Sequence, residues 1–184
     1  MKRVILVFII LLTFFNANAT HIMGGEITWK CIKDPLDPDV GKYIFTMKLY
    51  RDCAGTTLLT GSEFIDVWGV GAPVTSITCD FVSNTDISPV GNSINSGNPC
   101  LVCQPGASNG DAGAVEEYVY QSTPQTLTGT PPASGWHFTW DNCCRNAAIV
   151  NLVNPDSQGF TLRAAMYPYT DPNTGLVLLA DPCF

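Results

Sequence analysis

Residues 135–146 have the sequence Gly-Trp-His-Phe-Thr-Trp-Asp-Asn-Cys-Cys-Arg-Asn, and this stretch decides the fold class. Its three large aromatic residues alternate with polar ones, which is the period-two pattern of a β-strand with one buried face. The same alternation places Cys144 on the apolar face and Cys143 on the polar face. Because adjacent side chains on a strand point in opposite directions, the pattern predicts a separate partner for each of these two cysteines.

Further runs with strand character are separated by Gly, Pro, Asn and Asp, which favour turns. They lie at residues 27–31, 43–53, 63–70, 74–81, 115–121 and 159–167. Alternation gives most of them one inward face, but the third run has Phe64 and Trp68 on one side and Ile65 and Val67 on the other. Only residues 146–152 suit a short helix, so βαβ units are not expected. The predicted fold is all-β: an antiparallel, disulfide-linked β-sandwich, Ig-like in general architecture.

The start of the chain has the pattern of an export signal. Lys2 and Arg3 precede the apolar run 4–15, and Ala17-Asn18-Ala19 matches an A-x-A cleavage site. The run is shorter than the roughly 20 residues of a comfortable membrane span, although an uncleaved anchor is the alternative. We expect residues 1–19 to be a cleaved signal peptide and residues 20–184 to be a single β-sandwich domain, exported to the extracellular space or the outer cell surface.

Charge narrows the class of partner. The chain has 9 basic and 16 acidic residues, a net charge of −7, which disfavours nucleic acid and anionic lipid as main partners. No second apolar stretch is long enough for a transmembrane segment in the mature chain. The expected partners are the export machinery and surface glycans or other surface proteins.

Cysteine usage agrees with export. The eight cysteines all follow the signal, at Cys31, Cys53, Cys79, Cys100, Cys103, Cys143, Cys144 and Cys183. An even number in an exported chain predicts disulfides, and the sequence leaves their pairing open. Shared parity with apolar residues predicts inward side chains for four of them, namely Cys31, Cys53, Cys79 and Cys144.

The pair Cys100 and Cys103 lies in the irregular region 83–114, where a disulfide would tether a long loop. Together with Cys143 and Cys144 it offers four thiolates for zinc. Export disfavours that alternative, because exported thiols are normally oxidised.

Two further groups of residues raise the question of metals. A cut after Thr20 would place His21 at the new N-terminus, where with His137 it would chelate copper as in oxidative polysaccharide-cleaving enzymes. The A-x-A site instead favours a cut before Thr20, a strand-edge His21 and a solvent-facing His137. A second group, Asp34, Asp37 and Asp39, suits a hairpin loop better than a calcium site because prolines interrupt it. We therefore predict neither a metal nor another cofactor.

Catalytic motifs are missing from the sequence. It contains no nucleophile elbow, no zinc-protease motif and no phosphate loop. The neighbours Glu116 and Glu117 would face opposite sides of a strand, so they do not form a carboxylate pair. The chain is therefore predicted not to be an enzyme, with no catalytic residue. If it binds carbohydrate, exposed aromatic residues such as Trp68, Tyr118 or Tyr120 would stack on sugar rings, the alternative for each being core packing.

Four motifs together resemble a known family. They are Thr20-His21-Ile22-Met23-Gly24-Gly25-Glu26-Ile27-Thr28, Lys48-Leu49-Tyr50-Arg51-Asp52-Cys53, Val115-Glu116-Glu117-Tyr118 and the stretch 135–146. In their content and order they are similar to the N-terminal region of large exported, adhesin-like surface proteins of Bacteroidetes. Many of those proteins end in a gliding-motility-associated C-terminal domain that directs type IX secretion. The resemblance implies a modular, β-rich surface protein, and it transfers no catalytic role.

The sequence and the resemblance together predict a non-enzymatic exported surface module that contributes to adhesion or cell-surface architecture, with a link to gliding. The alternative is a carbohydrate-binding module or a copper-dependent polysaccharide-active protein. Members of the family continue for hundreds of residues, whereas this sequence stops at Phe184, directly after Cys183. We therefore expect the natural reading frame to continue into further β-domains, and the partner of Cys183 to lie in them.

Overall fold

The computed structural model of the chain describes residues 22–55, 57–58, 60–72, 74–88, 114–143, 145 and 149–178. Seven strands form the main sheet: β1 (Ile22–Cys31), β2 (Tyr43–Asp52), β3 (Ser62–Trp68), β4 (Ser76–Asp86), β5 (Val115–Ser122), β6 (Trp136–Cys143) and β7 (Gly159–Met166). Two short strands, β8 (Tyr169–Thr170) and β9 (Val177–Leu178), form a separate pair. The predicted all-β fold is confirmed, and each run with strand character contains a strand.

The seven strands make one continuous sheet in the order β1-β2-β5-β4-β3-β6-β7, and each strand is antiparallel to its neighbours. The two outer strands lie against each other, so the sheet is nearly closed into a barrel. Because the strands alternate in direction and their number is odd, β1 and β7 run the same way along this seam. The antiparallel part of the prediction is confirmed, whereas two separate sheets of Ig-like architecture are not.

Every second side chain on the strands fills the barrel interior. On β6, Trp136, Phe138 and Trp140 are buried, as their alternation indicated. The ring of Phe138 packs against Phe45 and Trp29, with centroids 4.8 Å and 5.4 Å apart in tilted arrangements. Such aromatic pairs add to the free energy gained from burial alone. The core is therefore aromatic at its centre.

The structure shows which face of β3 is buried, a question that its apolar residues on both sides left open in the sequence. Ile65 and Val67 point into the core, while Phe64 and Trp68 are exposed. The reason is the register, since Asp66 lies opposite Thr139, a residue on the outer face of β6.

Two irregular regions differ from the prediction. Strand β4 continues to Asp86, so the irregular region begins later than residue 83, and residues 89–113 lie outside the description. Residues 149–152, the described end of the segment expected to be helical, form a turn instead. A short helical segment does form, but later in the chain: it is a 3₁₀ turn at Pro155–Ser157, and it follows Asn154, whose backbone is in the left-handed conformation. Proline at its first position explains this placement, because its fixed φ suits a helix start.

The four cysteines in the described part of the chain are in two chemical states. Cys31, Cys53 and Cys143 are disulfide-bonded. Cys79 is a buried free thiol, so the prediction of eight disulfide cysteines is wrong at this position. Its strand partners are Glu63 and Ser122, which leave it no cysteine to pair with across the sheet. Burial, with a smaller effect of Asp80, raises the pKa of the Cys79 thiol to about 12, which keeps it protonated and unreactive.

The parity prediction for the cysteines is confirmed where the structure describes them. Cys31, Cys53 and Cys79 are buried, and Cys143 is exposed. The remaining four, Cys100, Cys103, Cys144 and Cys183, lie outside the described residues.

A glycine sets the closeness of the seam between β1 and β7. A Cβ atom on Gly25 would lie 2.5 Å from the carbonyl oxygen of Lys48 and 2.7 Å from Cδ1 of Leu162 on β7. We expect Gly25→Ala to lower the free energy of unfolding by about 1–3 kcal/mol, the usual cost of overpacking. The matched control is Gly24→Ala, since a Cβ there meets nothing closer than 3.9 Å. Urea unfolding of both variants is the measurement, and equal stabilities would show that the seam has room.

Candidate functional site

Buried charges sit near one end of the barrel. Arg51 on β2 and Glu116 on β5 are directly opposite in the register, and both side chains are fully buried. The guanidinium contacts Glu116 Oε2 through Nε, at 3.0 Å, and through Nη2. Its Nη1 donates to the carbonyl oxygen of Gly55 at 2.6 Å, and Asn84 Nδ2 donates to Glu116 Oε1 at 2.9 Å. Each carboxylate oxygen therefore accepts a hydrogen bond from the protein, as a buried charge requires.

A tyrosine completes this cluster. The Tyr118 ring lies below the Arg51 guanidinium, 5.9 Å from its central carbon. Its buried hydroxyl makes no hydrogen bond of good geometry within the described part of the chain, although Asn84 and Glu116 interact with it. Burial first, and the negative charge of Glu116 second, raise the pKa of Tyr118. A neutral phenol is the result.

The four motifs of the family resemblance meet at this cluster. Ile22 at the start of β1 pairs with Arg51, and it also forms a parallel bridge with Arg145 from the end of the 135–146 stretch. Arg51 in turn lies opposite Glu116 of the β5 motif. Because the charged groups have no exposure to solvent, the cluster is suited to holding these chain segments together and not to acid–base chemistry on a substrate.

The sequence analysis missed this ion pair, although a signal was present. Arg51 has the same parity as the buried residues of β2, and Glu116 has the same parity as Tyr118 and Tyr120 on β5. Two opposite charges at inward positions of neighbouring strands predict a buried pair, since an unpaired one would be too costly. The same geometry confirms that Glu116 and Glu117 face opposite sides.

The outer face of β3, β6 and β7 carries an exposed aromatic ring next to polar and charged side chains. We call this surface the Trp68 face and define it by Asp66, Trp68, His137, Thr139, Arg163 and Tyr167. Trp68 is 58% exposed, yet its Nε1 donates to Thr139 Oγ1 at 2.8 Å, which fixes the indole against the sheet. Thr139 lies opposite Asp66 on one side and Arg163 on the other. An aromatic ring is thus held in place beside groups that donate and accept hydrogen bonds.

Two glycines shape one end of the Trp68 face. Gly135, with φ +80°, has the ring of Tyr167 next to it, since a Cβ there would lie 3.1 Å from Tyr167 Cδ1. Gly69, which follows Trp68, would bring a Cβ within 3.0 Å of the Gly135 carbonyl oxygen. The chain therefore packs closely from Trp68 across to Tyr167, and the Tyr167 side chain is 54% exposed.

The predicted aromatic residues divide between surface and core. Trp68 is exposed as the binding hypothesis required, whereas Tyr118 and Tyr120 are fully buried, so their use in stacking is wrong. The physical reason is that β5 lies inside the sheet and alternation directs both rings inward. Burial raises the pKa of Tyr120 strongly, which is the electrostatic mark of a core phenol.

Only one of the two histidines of the copper alternative lies in the described residues. His21 lies outside them, and His137 contacts the guanidinium of Arg163, with Nη2 3.0 Å from Nδ1 and 3.2 Å from Nε2. A neighbouring cation disfavours a metal ion at the same ring. No group of three or more potential metal ligands is present in the part of the chain that the structure describes.

The aspartates between β1 and β2 stabilise their own loop. Asp34 Oδ1 accepts a hydrogen bond from the Leu36 amide at 2.9 Å, and Asp37 Oδ1 accepts one from the Asp39 amide at 2.8 Å. Asp39 pairs with Lys42 at 2.5 Å. These contacts agree with the interpretation of this segment as a hairpin loop. Beside the loop, a groove of about 670 Å³ is lined by residues that include Trp29 and Ile44.

Comparison with known proteins adds no assignment: no protein-family model, curated protein or solved structure matches this chain. Within the described residues, no helix is both long and apolar enough to cross a membrane. Any functional argument therefore rests on the side chains themselves.

Proposed function

We propose that the protein is a non-enzymatic exported surface module that contributes to adhesion or cell-surface architecture, and that the Trp68 face makes the contact. The observation that carries the proposal is the exposed Trp68, fixed by its hydrogen bond to Thr139 within a polar surface. A large aromatic side chain that is already ordered loses little conformational entropy on binding. Tryptophan is also among the residues that most often dominate binding free energy.

The sequence supports the cellular setting of this proposal. The pattern of residues 1–19 favours export, and the resemblance to the N-terminal region of Bacteroidetes surface proteins supports adhesion, gliding and type IX secretion. The disulfide-bonded state of Cys31, Cys53 and Cys143 suits an oxidising compartment. The finer architecture, a disulfide-linked Ig-like sandwich, is also part of the proposal, because a nearly closed barrel and a sandwich both enclose a core between inward-facing side chains.

A carbohydrate-binding module is the second candidate, and the same residue favours it. Of the three aromatic residues that the sequence offered for sugar stacking, Trp68 is the exposed one. Its copper-dependent form has no comparable support, because the one described histidine lies against Arg163. The two functions are compatible, since a surface module often adheres by binding a glycan.

Replacing Trp68 with alanine should reduce adhesion about tenfold or more, because truncation of a residue that dominates binding costs about 2 kcal/mol or more. The measurement is retention under flow of beads coated with the purified protein, on bacterial cells and on glass. Phe64→Ala is the matched control, because Phe64 is also 58% exposed on β3. Retention that is the same for both variants and the wild type would contradict the proposal.

A further inference from the structure

We infer that the ligand of the Trp68 face is a neutral polysaccharide whose sugar rings stack on Trp68 and Tyr167. This inference rests on the proposed function, and it names the class of ligand for the same surface. Three observations support it: the positions of two exposed rings, the polar groups beside them, and the absence of a net positive charge on the Trp68 face.

The two rings are positioned to contact an extended chain. Trp68 ends β3 and Tyr167 follows β7, with β6 between them, so their backbones lie about two strand spacings, roughly 10 Å, apart across the sheet. Both side chains are more than half exposed. Between them on β6 lies His137, which is opposite Trp68 on one side and the small Ala165 on the other. Such a shallow aromatic platform fits a chain of rings better than one small molecule in a pocket.

The groups beside the platform suit hydroxyls. The Asp66 carboxylate accepts hydrogen bonds, the Arg163 guanidinium donates them, and the Thr139 hydroxyl does both. In the described residues Arg163 forms no ion pair with a carboxylate, and its Nη2 is directed at the His137 ring. Donors and acceptors next to an aromatic ring match a sugar, which has an apolar ring face and a polar rim.

Charge separates neutral from acidic glycans. On the Trp68 face the positive charge of Arg163 is balanced by Asp66, and Asp141 lies nearby, hydrogen-bonded to Thr161. The whole chain carries a net charge of −7. A polyanion would therefore meet overall repulsion without a local basic patch to offset it. An uncharged polysaccharide is not repelled by the net negative charge and does not need a basic patch.

The test is affinity electrophoresis of the purified full chain through gels that contain a neutral polymer (β-glucan, mannan or xylan) or an acidic one (polygalacturonate or alginate). We expect retardation by at least one neutral polymer and weaker retardation by both acidic ones. Trp68→Ala should weaken the binding about tenfold or more and Tyr167→Ala severalfold, while Phe64→Ala should leave it unchanged. Because the ligand is uncharged, affinity should change less than about twofold between low and high salt. Binding should also shift the tryptophan fluorescence, and Trp68→Ala should remove that shift.

The possible failures are distinguishable. Equal or stronger binding to the acidic polymers would overturn the neutral class. Retardation by none of the five polymers would overturn the glycan inference, but bead retention that still depends on Trp68 would leave the adhesion proposal standing with a protein as partner. Bead retention that is independent of Trp68 would overturn the proposed function itself.

Discussion

Replacing Arg51 with methionine should lower the free energy of unfolding by about 3–5 kcal/mol, because it leaves the Glu116 carboxylate buried without its counter-charge. Both side chains have no solvent exposure, and water cannot replace the lost guanidinium contacts. Chemical unfolding under non-reducing conditions measures the loss. At about 2–4 °C per kcal/mol for a domain of this size, the melting temperature should fall by roughly 10 °C.

The same two strands supply a matched control. Lys48 and Glu117 form an ion pair between β2 and β5, with Nζ and Oε2 3.1 Å apart, but on the outer face. Because exposed pairs contribute only about 0–1 kcal/mol, Lys48→Met should change stability little. A loss below 1 kcal/mol for Arg51→Met, or equal losses for the two variants, would contradict the account of the buried pair.

A double variant separates the effect of the buried charge on stability from the effect of packing. The double variant Arg51→Met with Glu116→Leu removes both charges and should recover most of the lost stability, as apolar replacements of buried pairs commonly do. If the double variant is no more stable than Arg51→Met, the loss comes from packing.

Alternation was sufficient to find the strands. Most inward positions of the seven strands carry apolar side chains, with Arg51 and Glu116 among the exceptions, and the core aromatic residues of β6 are those that the period-two pattern selects. This works because side-chain direction on a strand is a local property of the backbone. Where both faces were apolar, as around Ile65 and Trp68 on β3, the local pattern gave no answer, and the pairing with β6 determined the exposed side.

The order of the strands and the near-closure of the sheet could not be predicted from the sequence. β3 pairs with β6, which is far away in the chain, and β1 approaches β7 through the absent side chain of Gly25. Such contacts depend on which edges meet, and that is a non-local property of the fold. Tyr120 shows the consequence for the site, since its inward direction became clear only when β5 was placed between β2 and β4.

The candidate site was only partly predictable for the same reason. Trp68 was identified because a large aromatic residue on a two-sided strand is a natural binding residue. Arg163 and Tyr167 were missed, because what makes them relevant is their position relative to Trp68 across β6. Each is an ordinary surface residue of β7 or its end when the strand is considered separately.

Replacing Phe138 with alanine should lower the free energy of unfolding by about 3–5 kcal/mol, the usual cost of truncating a buried phenylalanine. The ring is fully buried and contacts Phe45 and Trp29, so its removal loses burial and aromatic packing and leaves a cavity in the centre of the barrel.

Phe64→Ala gives the contrast on a neighbouring strand, because the same chemical truncation at a 58% exposed position should change stability by only about 0.5 kcal/mol. The two variants differ in the side of the sheet that they occupy and not in the atoms removed. Urea and thermal unfolding of both, compared with the wild type, therefore measure how much of the stability comes from the inward face. A loss for Phe138→Ala no larger than that for Phe64→Ala would show that the aromatic centre is not the core that closes this barrel.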